Sequence, residues 1–143
     1  MRLIWLRTVF VASVAIGALD AACAQQSEVG KEDYLKLCSS CHGVTSKGDG
    51  PNAKSLRKPP ADLTKLSQTN NGKFPLVRVY YVMDGKLDII AHGPREMPSF
   101  AEVLKKDVMS RMPRDSMSPE LAESIARMRM IEVIDYVISL QNK

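Results

Sequence analysis

The string Cys38-Ser39-Ser40-Cys41-His42 constrains this chain more than any other feature. Two thiols at this spacing lie one helical turn apart, and an imidazole follows directly. Cys-x-x-Cys-His is the attachment string of a c-type haem. The geometry explains why: each thiol can bond a vinyl group on one porphyrin edge, and the next side chain then projects at the iron. Neutral imidazole is a good iron ligand once its other ring nitrogen has an acceptor. Two other chemistries use paired cysteines. A thioredoxin-type redox pair belongs among alternating strands and helices, which the flanking sequence lacks. Half of a zinc site needs further ligands, but no second cysteine pair follows, and the two histidines are His42 and His92. One covalent haem c, held through Cys38, Cys41 and His42, is the reading these residues support.

The N-terminus points to export. Met1–Arg7 carries Arg2 and Arg7 and no acid, Thr8–Leu19 is free of charge, and Ala22-Cys23-Ala24 offers small residues at both recognition positions. That is the layout of a secretory signal peptide over residues 1–24, which leaves residues 25–143 as the folded domain. The apolar run is short of the roughly 20 residues that span a bilayer, so no stable membrane insertion is expected after cleavage. Cys23 is a conceivable lipid attachment point, but Asp20 stands where such sites favour a branched apolar residue. The expected compartment is the periplasm. Losing two arginines and one aspartate with the leader takes the net charge from +4 to +3. Two haem propionates nearly cancel that, so the charge calls for neither nucleic acid nor a membrane surface.

The remainder reads as helices and loops. Gly30–Leu37 suits a short helix with Gly30 and Tyr34 on one face. Gly43–Pro60 is punctuated by glycine and proline and reads as an ordered loop. Pro75–Met83 suits a helix ended by Gly85, with Val77, Tyr80 and Tyr81 as its apolar patch. Phe100–Lys105 adds a turn of helix, and Lys105–Met117 is a long methionine-rich link, a candidate flap for docking a partner. The last helix starts at a Ser118 cap with Pro119 in its first turn. Ala122, Ala126, Met130, Val133, Val137 and Leu140 form its apolar stripe, widened by Ile131, Ile134 and Ile138. An iron held by His42 has a sixth position open to several side chains: His92, or the sulfur of Met83, Met97, Met109, Met112, Met117, Met128 or Met130.

From Gly30 to Leu140 the chain resembles the class I cytochrome c family in its small bacterial periplasmic form. The matching stretches are Cys38-Ser39-Ser40-Cys41-His42, Gly48-Asp49-Gly50-Pro51, Pro60-Ala61-Asp62-Leu63-Thr64, His92-Gly93-Pro94-Arg95-Glu96-Met97-Pro98-Ser99-Phe100 and Ile134-Asp135-Tyr136-Val137-Ile138-Ser139-Leu140. The resemblance implies an all-α cytochrome c fold, with N- and C-terminal helices crossing around one covalent haem and loops covering it. It implies Met97 as the distal ligand opposite His42, with Met112 of Arg111-Met112-Pro113 as the main rival. It also implies that Phe100 packs at the haem edge and that the Pro51 carbonyl accepts the proton of His42. A six-coordinate iron favours electron transfer over catalysis. The partners implied are redox proteins: a dehydrogenase, a membrane respiratory complex or an oxidase. Lys47, Lys54, Lys58, Lys73 and Lys86 are placed to rim the haem edge. A dedicated haem subunit of a periplasmic dehydrogenase is the alternative, and a haem enzyme or gas sensor with a displaceable ligand is a third.

Overall fold

A computed structural model describes residues 28–87, 97–113 and 116–141; the leader, Cys23 and His92 lie outside them. The described residues form helices and turns, with no strand among them. Helix α1 (28–37) leads into the single turn α2 (Ser39–His42). An irregular segment with three 3-10 turns (Ala53–Ser55, Leu63–Lys65, Gln68–Asn70) then reaches α3 (Leu76–Asp84), α4 (Phe100–Arg111) and α5 (Pro119–Ser139).

The core forms around α5. Ser118 Oγ accepts the Leu121 N–H at 3.2 Å, so the expected cap is in place ahead of Pro119. Ala122, Ala126, Met130, Val133, Ile134 and Val137 are buried along one face. Each large apolar side chain buried there stabilises the fold by about 1.5–3 kcal/mol. The stripe is narrower than its sequence suggests, because Ile131, Ile138 and Met128 are exposed.

Helix α1 crosses α5 at its glycine. A Cβ added at Gly30 would fall 2.0 Å from the Glu132 carbonyl oxygen, so only glycine permits this approach. One turn on, Tyr34 is fully buried and its ring lies 5.3 Å from that of Tyr136. Charge secures the same crossing. Arg129 on α5 donates from Nε to buried Asp33 at 2.8 Å and from Nη1 to Asp107 on α4 at 2.7 Å. One guanidinium thus joins three helices, its five donors suiting it to that task.

Two sequence expectations are corrected. Helix α4 runs to Arg111 and buries Phe100, Ala101, Leu104 and Val108. Most of the supposed methionine-rich flap is therefore helix, stabilised by that buried face. On α3, Val77 and Tyr81 face solvent, while Met83 is buried and Val79 and Tyr80 pack on the core. The Gly85 cap is as expected, left-handed at φ 75°.

Candidate functional site

The cysteine string sits where α1 gives way to α2. The Cys38 N–H still bonds to Tyr34 O at 2.8 Å, and Cys41 and His42 bond back to Cys38 O at 3.1 and 2.9 Å. This turn holds Cys38 and Cys41 one helical turn apart, with no disulfide between them. Burial pushes the Cys38 thiol up to about 12, with the Asp33 and Cys41 charges adding to the shift.

His42 is buried, and its Nδ1 lies 3.1 Å from the carbonyl oxygen of Ala61. With Nδ1–H donating to that carbonyl, Nε2 carries the lone pair that a metal takes. The expected acceptor, Pro51, is corrected here. Gly48 N, Gly50 N and Asn52 N bond to His42 O, Cys41 O and Ser40 O at 2.8, 3.0 and 2.8 Å, closing the last turn of α2. That use of the backbone leaves Pro51 exposed at the surface. The chain then returns past Gly48 (φ 80°), whose added Cβ would meet Pro60 O at 2.3 Å, and brings Ala61 to the ring.

Three contacts hold the Ala61 segment. The Leu63 N–H bonds to Ser46 O at 2.8 Å. Asp62 accepts from Thr64 N at 3.0 Å and from Thr64 Oγ1 at 2.6 Å, and the latter bond chiefly holds its carboxyl below the usual range. Gln141, just past α5, donates to Leu63 O at 2.7 Å and accepts from Ser67 N at 2.9 Å.

Two cavities flank this centre. The larger, about 360 Å³, is walled by Tyr34, Leu63, Val79, Met83, Val133 and Val137 among others. The smaller, about 150 Å³, is bounded by Leu37, Cys41, Leu56, Pro60, Pro98 and Phe100. Cys38, His42 and Met97 line both. The structure thus brings together four of the five expected site residues and leaves out Pro51. Phe100, expected at the haem edge, is buried and lines the smaller cavity.

Of the other methionines, Met83 reaches the larger cavity, Met130 is core, and Met109, Met112 and Met128 are exposed and line neither. None of the five expected lysines lines either of these two cavities; Arg78 of α3 is the one Lys or Arg side chain, among the described residues, that lines either. Ala61, Arg78 and Gln141 are the positions that the sequence did not flag. The proline pair before Ala61 and the Asp62-x-Thr64 cap were the available signals for the first of them.

Apolar walls, two thiols on one helical turn, a buried imidazole with its Nδ1 satisfied and a thioether lining the same space suit a covalently held porphyrin. Among the described residues no cluster of three or more His, Cys, Asp or Glu side chains offers a competing metal site, and no helix is long and apolar enough to cross a membrane. Residues 25–112, more than half of the chain, match the model of the family described as cytochrome c oxidase, cbb3-type, subunit III. Searches of curated proteins and of solved structures found no match. With its helical fold and its single Cys-x-x-Cys-His string, the chain belongs to that family of c-type cytochromes, whose domain binds haem c covalently.

Proposed function

We propose that this chain is an exported single-electron carrier. Its iron is held by His42 and Met97, and its haem is bonded through Cys38 and Cys41. The observation that carries the reading is that Cys38, His42 and Met97 line both cavities and so border one shared slot. The bound group supplies the one-electron chemistry. The residues fix its potential and keep water away: Ala61 orients the His42 ring, Met97 closes the other side, and Tyr34, Val79, Val133 and Val137 dry the walls. Were His42 and Met97 both to hold the group, no position would remain for substrate, which favours a carrier over an enzyme. Residues 1–24 act as a leader and are removed, and residues 25–143 work in the periplasm.

The partner in this reading is a redox protein: a dehydrogenase, a respiratory complex or an oxidase. The family description names a subunit of an oxidase, which favours a second reading in which the chain is a fixed haem subunit of a larger complex. Co-purification of a large redox subunit at stoichiometric yield supports that version, while a monomeric shuttle elutes alone.

The deciding experiment is spectroscopic. Protein made in cells competent for haem ligation should stay red after denaturation and acid extraction, with an intact mass of residues 25–143 plus one haem. Its oxidised spectrum should show the sulfur–iron band, and the reduced protein should bind carbon monoxide slowly or not at all. Rapid carbon monoxide binding and no sulfur–iron band contradict the Met97 assignment. Replacing Cys38 and Cys41 together by alanine should give colourless, poorly folded chain; a well-folded colourless variant contradicts the assignment of haem to the core.

A further inference from the structure

Ser99 stands at the N-terminus of α4, where a serine hydroxyl normally caps the helix. Here it makes no capping bond. Its Oγ instead donates to the Asp84 carbonyl at the end of α3, at 3.1 Å. Its Cβ side presses on Gly85, where an added Cβ would lie 2.9 Å from Ser99 Cβ. Gly85 is in the left-handed conformation (φ 75°) that closes α3. The Met97-Pro98-Ser99 segment is therefore fastened to the C-terminal end of α3 by one hydrogen bond and one close packing contact.

The anchor point is itself held firmly. Asp84 is buried, and its Oδ1 lies 3.5 Å from Arg127 Nη1 on α5. Its Oδ2 meets the Lys86 ammonium at 2.8 Å, in a contact of charges rather than a directed hydrogen bond. The same Arg127 Nη1 donates to Tyr80 Oη at 2.8 Å. A chain of contacts thus runs from α5 through Arg127 to Asp84, and from the Asp84 carbonyl to Ser99, two residues from Met97.

We infer that Ser99 is a positioning residue that gives up its helix-capping bond to tie the Met97 segment to α3, and so holds the Met97 thioether in place against competing ligands. The inference rests on Met97 being the sixth ligand. A thioether is a weak ligand for ferric iron, so its retention depends on how little the segment that carries it can swing away. Losing the Ser99–Asp84 bond lets that segment open more often, and each opening admits a rival.

The test is imidazole titration of the oxidised holoprotein, followed by loss of the sulfur–iron band well below the unfolding temperature. Four proteins are compared: unmodified, Ser99→Ala, Ser118→Ala and Met97→Ala. Ser99→Ala should bind imidazole about three- to tenfold more tightly, the range expected when one neutral hydrogen bond is lost. Ser118→Ala removes a genuine cap from α5 and should lower thermal stability without changing imidazole affinity. Imidazole affinity of Ser99→Ala within twofold of the unmodified protein, or an equal shift in Ser118→Ala, overturns the inference. A sulfur–iron band that survives Met97→Ala overturns the ligand assignment itself, which separates the two failures.

Discussion

His42 and Ala61, 19 residues apart in the chain, meet through an imidazole nitrogen and a backbone carbonyl 3.1 Å apart. The bond decides which nitrogen of the ring faces the cavity side, and it exists because the segment after Ala61 is clamped from α5. Gln141 is that clamp. Gln141→Ala removes bonds to Leu63 O, Ser67 N and Val137 O. The expected cost is about 2–3 kcal/mol, at roughly 1 kcal/mol for each net hydrogen bond. Guanidinium unfolding of the holoprotein measures it, and a change under 0.5 kcal/mol, by order of magnitude, means that the clamp does not hold the loop.

Methionine replacements should separate the sulfur ligand from its neighbours. Met97→Ala should keep covalent haem and lose the sulfur–iron band. Met112→Ala should keep both, because Met112 is exposed and lines neither cavity. Met83→Ala leaves a hole beside the larger cavity, and it should lower stability by about 2–4 kcal/mol while the band remains. A band lost in Met83→Ala and kept in Met97→Ala reassigns the ligand to α3.

Acid should loosen the helix crossing. The Arg129 guanidinium, aided by Arg111, holds the Asp107 carboxyl at about 2, below its ordinary 3.8. A depressed carboxyl adds stability above its unfolded value and loses that contribution as pH falls toward the folded one. The window is therefore pH 4 down to 2. Because Asp107 is partly exposed, the screened contribution is on the order of 1 kcal/mol. Asp107→Asn should flatten the acid limb of a stability-against-pH curve by that amount. An unchanged slope between pH 4 and 2 rules out this pair as a source of the acid sensitivity.

Arg78 should tune the potential. It brings a positive charge to the wall of the larger cavity, and a cation there favours the reduced, more electron-rich state. Arg78→Leu should lower the midpoint potential by roughly 20–60 mV, given about 59 mV per tenfold change for one electron. Redox titration measures the shift, and an unchanged or raised potential removes Arg78 from that role.

The parts that were legible in the sequence are those whose signal is local. Cys38, Cys41 and His42 declare themselves within five residues, and the Ser118-Pro119 start of α5 is a cap readable without tertiary structure. The crossing of α1 and α5 came from the resemblance, carried by Gly30 and Tyr34. The length of helix α4 is less legible, because the irregular spacing of Met109, Met112 and Met117 reads as a loop while Phe100, Ala101, Leu104 and Val108 carry helical spacing. Ala61 lies in a matching stretch, yet its role is not legible there: its contribution is a carbonyl, which every residue has, and only the fold decides which one reaches the ring. The place of Arg78 on the cavity wall is not legible in the sequence, because it depends on how α3 is rotated.

The seam between Gly30 and Glu132 carries a consequence for the order of events in the life of the polypeptide. Its two sides are separated by nearly the whole domain, so the wall supplied by Val133 and Val137 arrives last as the chain emerges from its amino end. Until it arrives, Cys38 and His42 line a slot that lacks two of its apolar walls. The two halves of the slot thus close only when the last helix docks on the first, and any side chain at position 30 would hold them apart.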